Sequence, residues 1–168
     1  MLPVVVQRSL GSLSGAALVV LTLISASSAE AQQIQTLPGS SCQASGSAQD
    51  LYYSGVSVAN RNNSVSSAVC PLVRANGAQG WSTIAVFVRD RHAAENITCV
   101  AQARDLAGVA GSGWSDTKST SGEGDQVLVF GAPATAVPPY GPYVVVCSLP
   151  PMVNNLPSYI SSIALVEP

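Results

Sequence analysis

From Tyr52 onward the hydrophobic residues of this chain recur at every second position, and four cysteines are spread among them: Cys42, Cys70, Cys99 and Cys147. Together these two features point to a disulfide-braced β-structure. Tyr52, Val56 and Val58 alternate with Gly55, Ser57 and Ala59, and Ile84, Val86 and Val88 alternate with Ala85, Phe87 and Arg89. Successive side chains of an extended chain point to opposite faces, so this period marks strands with one buried face. Further strands are expected over Val65 to Val73, Asn96 to Arg104, Trp114 to Thr120, Gln126 to Phe130, Tyr143 to Leu149 and Tyr159 to Val166. Turn-forming clusters separate them: Asn60-Arg61-Asn62-Asn63, Asn76 to Gly80, Gly122-Glu123-Gly124-Asp125 and Pro138 to Pro142. Pro71 and Pro150 lack a ladder donor and should mark strand ends, bulges or edges. No stretch keeps a long helical period, and any helix should be a single turn over Ala103 to Val109. The expected architecture is all-β, a single antiparallel β-sandwich of jelly-roll or immunoglobulin-like type with about eight strands.

The N-terminus reads as a secretory leader. One cation, Arg8, precedes an apolar run from Ala16 to Ile24, and small residues end in Ala29-Glu30-Ala31, a pattern cut by signal peptidase before Gln32. Gly11, Gly15 and several serines dilute the segment too much for a retained anchor. The expected organisation is a signal peptide over 1–31, a flexible segment over 32–41 and a sandwich domain over 42–168, with no membrane span after cleavage. The protein would then be secreted or periplasmic.

In such a compartment an even number of cysteines implies two disulfides. Four cysteines allow three connectivities. The preferred pairing is Cys42 with Cys70, tying the N-terminal segment to an early strand, and Cys99 with Cys147, joining two strongly strand-like runs. Each would contribute roughly 3–4 kcal/mol by loop entropy. The cysteines lack C-x-x-C spacing and His92 is the only histidine, so neither a metal nor a cofactor is expected. The formal net charge of −2, with only 10% of residues charged, gives a weak field that favours no polyanion and makes nucleic acid a poor partner.

Catalytic signals are sparse. His92 follows Arg89-Asp90-Arg91, where it could act as a general base oriented by Asp90 or could merely shape a solvated turn. No serine lies in a G-x-S-x-G elbow, and Gly111-Ser112-Gly113 reads as a loop. Glu123 and Asp125 flank Gly124 and could join Asp116 around calcium, although a calcium loop usually offers more ligands. Asp90, Asp105, Asp116 and Glu123 supply carboxylates for a glycosidase pair, whose separation the sequence leaves open. Aromatic residues give the better lead. Trp81 and Trp114 both follow glycine at the entrance of an expected strand, and Tyr52, Tyr53 and Tyr140 lie near loops or strand starts. Rings on the rim of a sandwich can stack on sugars or anchor a partner, so Trp81, Trp114 and Tyr140 are the candidate binding residues; the plainer alternative is that both tryptophans cap the core. Asn62-Asn63-Ser64 and Asn96-Ile97-Thr98 match the glycosylation pattern, which matters only in a source that glycosylates.

Cys70-Pro71-Leu72-Val73-Arg74, Ser119-Thr120-Ser121-Gly122, Tyr143-x-x-x-Cys147-x-Leu149-Pro150 and the closing Ile163-Ala164-Leu165-Val166-Glu167 resemble a set of small exported bacterial proteins of uncharacterised role. That resemblance implies a compact β-sandwich with two disulfides and carries over no catalytic residue. The leading functional reading is an exported, non-enzymatic binding or surface-associated module for polysaccharide or an envelope component. A second is a small secreted hydrolase using loop carboxylates or His92, which requires Asp90, His92 or Glu123 to converge on a pocket. A third is a protease inhibitor presenting Pro138 to Pro142 or Pro150-Pro151-Met152, since proline-stiffened loops lose little freedom on binding.

Overall fold

The structure, a computed structural model, describes residues 32–46, 51–75, 80–105, 114–134, 137–138 and 140–168. The leader, the Gly111-Ser112-Gly113 loop, residues 76–79 of the second turn cluster and the helical turn from residue 106 on lie outside these residues. The strands are β1 (Gln33–Pro38), β2 (Gln43–Ala44), β3 (Tyr52–Ser54), β4 (Ser57–Ala59), β5 (Ser66–Leu72) and β6 (Thr83–Asp90). They continue with β7 (Thr98–Ala103), β8 (Ser115–Ser119), β9 (Gly124–Gly131), β10 (Tyr143–Leu149) and β11 (Tyr159–Glu167). Among the described residues a 3-10 turn, Gly39–Ser41, is the one helical piece. No described helix is long and apolar enough to cross a membrane.

The chain is an antiparallel β-sandwich. One sheet runs β3-β4-β11-β6-β9, with β1 also paired to β11; the other runs β2-β5-β10-β7-β8. Because β6 pairs along one edge of β11 from Tyr159 to Val166, β1 and β4 share the other edge, β1 against Ser162–Glu167 and β4 against Tyr159 and Ile160. Alternation decides what lies between the sheets. Ile84, Val86 and Val88 of β6, Leu128 and Phe130 of β9, and Ile160, Ile163 and Leu165 of β11 meet Ala68, Cys70, Leu72, Ala101, Val145, Cys147 and Leu149 from the facing sheet. Ile160 and Ile163 are three residues apart, yet both point inward. A β-bulge between Ile160 and Ser162 inserts one extra residue and resets the alternation.

Both disulfides form in the preferred pairing, Cys42–Cys70 and Cys99–Cys147. Both lie within the five-stranded sheet. Cys99 and Cys147 are direct register partners of β7 and β10, and Cys42 and Cys70 extend the pairing of β2 with β5. All four half-cystines are buried, so the bridges sit on the inner face of that sheet as part of the core.

Two expectations change. The segment 32–41 was expected to be flexible, but Gln33–Pro38 is a strand hydrogen-bonded to β11, with Leu37 opposite Ile163 on the inner side. Its sequence hides this because Ile34 points outward and only Leu37 adds apolar weight within; the strand exists through its partner. The run Tyr52 to Ala59 is a hairpin and not one strand. Gly55, at φ 54°, turns β3 back on β4 and leaves Val56 exposed at the tip. With these short pieces the described strands number eleven instead of about eight.

Gly39, just after β1, lies against the backbone of β11. A methyl group at this position would collide with the Ile160 carbonyl, which is main chain and has no rotamer by which to yield. Gly39→Ala is therefore expected to cost about 2 kcal/mol or more, read as a lowered urea midpoint with an unchanged slope; a wild-type midpoint would show that β11 can shift to accept it.

Candidate functional site

The two ends of the sandwich carry different chemistry. At one end β6 finishes on Asp90, which is 0% exposed. A carboxylate removed from water must be met by donors. Its Oδ1 accepts from the His92 amide (2.9 Å) and the Ser158 hydroxyl (3.1 Å), and its Oδ2 accepts from the Ile97 amide (3.0 Å) and the Thr120 hydroxyl. Asn60, equally buried, forms a second hub. Its amide nitrogen donates toward the carbonyls of Ser64, Leu149 and Pro150, and its Oδ1 accepts from the Asn62 amide and the Ser66 hydroxyl. The Asn60 amide also donates to the Ser158 carbonyl (3.2 Å), which links the hubs.

The candidate acid–base residues make separate contacts. Asp90 touches the backbone amide of His92 and not its ring. The ring Nδ1 accepts from the amides of Ala94 (3.2 Å) and Glu95 (2.8 Å). The neutral imidazole then carries its proton on Nε2 and has no lone pair left to take a substrate proton. Glu123 stands exposed in the turn before β9, while Asp125 pairs with Arg89 (3.0 Å) and Asp116 with Lys118 (3.2 Å). None of Asp90, His92 and Glu123 lines either of the two cavities described below. The proline loops are strapped down. Arg74 donates to the carbonyls of Pro138 and Gly141, and the Met152 amide donates to the Asn62 carbonyl.

The opposite end is aromatic. Trp81 is 1% exposed, donates through Nε1 to the Gly131 carbonyl (2.9 Å), and meets Tyr143 and Trp114 edge to face at 4.7 and 5.0 Å. Trp114 is partly buried against the same cluster. Both tryptophans thus pack on the core, and Trp81 also lines a cavity at this end. Tyr140, in contrast, is 67% exposed, on a residue with φ 60°. The Arg74 guanidinium lies 4.2 Å from the Tyr143 ring centroid. Burial pushes the Tyr143 hydroxyl up to about 12, Arg74 pulling it down and Glu167 adding to the rise. That cavity, about 390 Å³, is lined by Trp81 with Gly80, Ala132, Pro133, Ala134, Val137 and Pro168; the Trp81 Nε1 is already donated to Gly131, and the other six bring no polar side chain to orient a ligand.

The better site lies on the outer face of the six-stranded sheet, beside the Asp90 end. Register sets it. Ala59 of β4 is opposite Tyr52 of β3 on one side and Tyr159 of β11 on the other. Val58 and Ile160 face the core, so Ala59 and Tyr159, one residue along, face outward. The small Ala59 leaves a dip between two rings and is itself only 4% exposed beneath them. Arg61 follows two residues later and brings its guanidinium carbon 3.3 Å from the centroid of the Tyr52 ring. The resulting groove, about 480 Å³, is completed by Ser54, Val56, Ser57, Pro157 and Ser161. Ser161, on the other side of the inward Ile160, faces outward as Tyr159 does. Tyr52 was visible in the sequence as an aromatic near a strand start. Tyr159 and Arg61 read only as strand and turn residues, because nothing local reveals that β4 pairs with a strand about a hundred residues away.

No family model matches this chain, and no curated protein matches it. Solved structures with some similarity include the CBM36-1 domain of a multidomain xylanase from the hindgut metagenome of Trinervitermes trinervoides (TM-score 0.45, 10% identity, covering 81% of this chain and 98% of that one). Another is the C-terminal CBM6 of the laminarinase LamC from Zobellia galactanivorans (TM-score 0.41, 13% identity, 80% and 100% covered). A third is the family 11 carbohydrate-binding module from Clostridium thermocellum (TM-score 0.40, 14% identity, 82% and 85% covered). At these scores the likeness says nothing about what this chain binds.

Asp90→Asn places an NH2 group against the backbone amide of His92 or of Ile97, which can only donate, and should cost about 3 kcal/mol in chemical denaturation, against under about 1 kcal/mol for His92→Ala. Equal costs would mean that the ring, and not the carboxylate, organises the loop. A phenol whose pKa is about 12 in the fold and 10.0 in the unfolded chain favours folding fully below pH 10, and the benefit disappears as pH climbs through 12. Melting temperature should therefore fall across that window, and the Tyr143→Phe variant should lose this component of the fall.

Proposed function

We propose that the protein is an exported, non-enzymatic β-sandwich that binds polysaccharide in the Tyr52–Tyr159 groove. The observation that carries this reading is the pair of tyrosine rings on either side of Ala59, with serine hydroxyls at the rim. A sugar ring is apolar on its faces and polar around its edge, so an aromatic wall and a hydroxyl-bearing rim meet its two chemistries separately. The volume, about 480 Å³, falls within the range of small-ligand sites. Two buried cystines support an oxidising location, whether the medium or a periplasm. The occupied lone pairs of His92 and the hydrogen-bonded carboxylate of Asp90 support binding over hydrolysis.

The test is retention of the oxidised protein, produced from the full chain by export, on soluble and insoluble polysaccharides and on peptidoglycan. Wild type should be retained by at least one of them. Tyr52→Ala and Tyr159→Ala should each weaken that retention at least tenfold, about 1.4 kcal/mol, while leaving the melting temperature near wild type. Loss of retention with a normal fold locates the ligand in the groove. Wild-type protein that passes freely over every polymer overturns the proposal.

A further inference from the structure

Resting on that reading, we infer that the groove recognises a saccharide bearing a carboxylate, a uronate residue within an otherwise weakly charged oligosaccharide, and that Arg61 holds the carboxylate. Arg61 is the one charged side chain lining the groove, and no acid lines it. Its place in the groove sets it apart: the Arg91 guanidinium also has no ion pair or hydrogen bond among the described residues, but it lines neither cavity. Arg89 and Lys118 are matched by Asp125 and Asp116, while Arg74 donates to two carbonyls and Arg104 to Gln102 Oε1. Among the described residues Arg61 makes neither an ion pair nor a hydrogen bond to the protein; its contact is the Tyr52 ring.

That contact defines the geometry. At 3.3 Å from the ring centroid the guanidinium can only lie flat on the ring. A flat stack leaves the N–H donors in the plane of the guanidinium and directed outward, where they can meet a planar carboxylate in a two-pronged fork. The ring also limits the rotamers that the long side chain would lose on binding. The net charge of −2 rules out capture by a general positive field, so recognition is local, one guanidinium to one carboxylate. In the groove between Tyr52 and Tyr159 the sugar face then lies on Tyr159, the ring Arg61 does not cover, and its C6 carboxylate meets Arg61.

The experiment compares retention of the full-chain, oxidised protein on polymers of galacturonate, glucuronate and mannuronate with retention on their methyl esters, which keep the sugar and remove the charge. Neutral glucans, galactans and xylans run alongside. The expected result is at least one free acid bound tenfold or more tightly than its ester, with the preference abolished in Arg61→Gln, reduced in Arg61→Lys and weakened by salt. Both variants change an exposed side chain, and their melting temperatures check the fold. If neutral polymers are retained in a Tyr52- and Tyr159-dependent way and no acid is preferred, the uronate inference falls and the polysaccharide reading stands. A preference that survives in Arg61→Gln also overturns the assignment to Arg61. Absence of retention on every polymer overturns both.

Discussion

The structure depends on a charge that it keeps away from water. Asp90 ends β6 in a fully buried position, and its two oxygens draw in donors from the 91–97 loop, from the end of β8 and from the start of β11. Leaving any one of those donors unmet would be costly, so the carboxylate dictates where three chain segments must pass. Asn60 does the same for the loop after β4 and for the exit of β10, and Ser158 joins the two hubs. The groove follows directly from this knot. Asn60 points inward while Ala59 and Arg61 on either side line the groove; Ser158 points inward while Pro157 and Tyr159 line it. Alternate residues of the same two segments thus hold the fold and form the site.

The other end is held by shape and not by charge. Trp81, Trp114 and Tyr143 pack edge to face over the core, and the Arg74 guanidinium covers the last ring. Such a cluster keeps water from the core, and Trp81 also lines the cavity at that end. The tryptophans are largely built into the core, whereas Tyr52 and Tyr159 stand on the outer face of a sheet.

Long strands were legible because their alternation is local. Residues 143–149 and 159–166 show it within a single window, and the cysteines on β7 and β10 could be paired from the strength of the runs that hold them. What escaped notice depends on distant partners. β1 is a strand only because β11 has a free edge, and β3 and β4 are a hairpin because Gly55 takes a left-handed turn inside an apparently continuous pattern. Asp90 was readable as a partner for His92, but not as an acceptor for the amide of Ile97, since burial of a carboxylate has no sequence pattern. Of the site, Tyr52 was in view. Its neighbours across the sheet were set by pairing between segments about a hundred residues apart, which propensity and periodicity do not encode.

The pairing of β1 with β11 has a mechanical consequence. Gln33 stands opposite Glu167, so the first and last described strands enter and leave side by side at the aromatic end, antiparallel over six residue pairs. Tension applied between them would act across the ladder and open it one rung at a time, without loading all the hydrogen bonds together as a shear would. The cystines lie in the other sheet and give these two strands no cross-link. A pull between the two ends would therefore meet its weakest resistance at this seam, while the groove, at the far end of β11, lies outside the first strand to peel away.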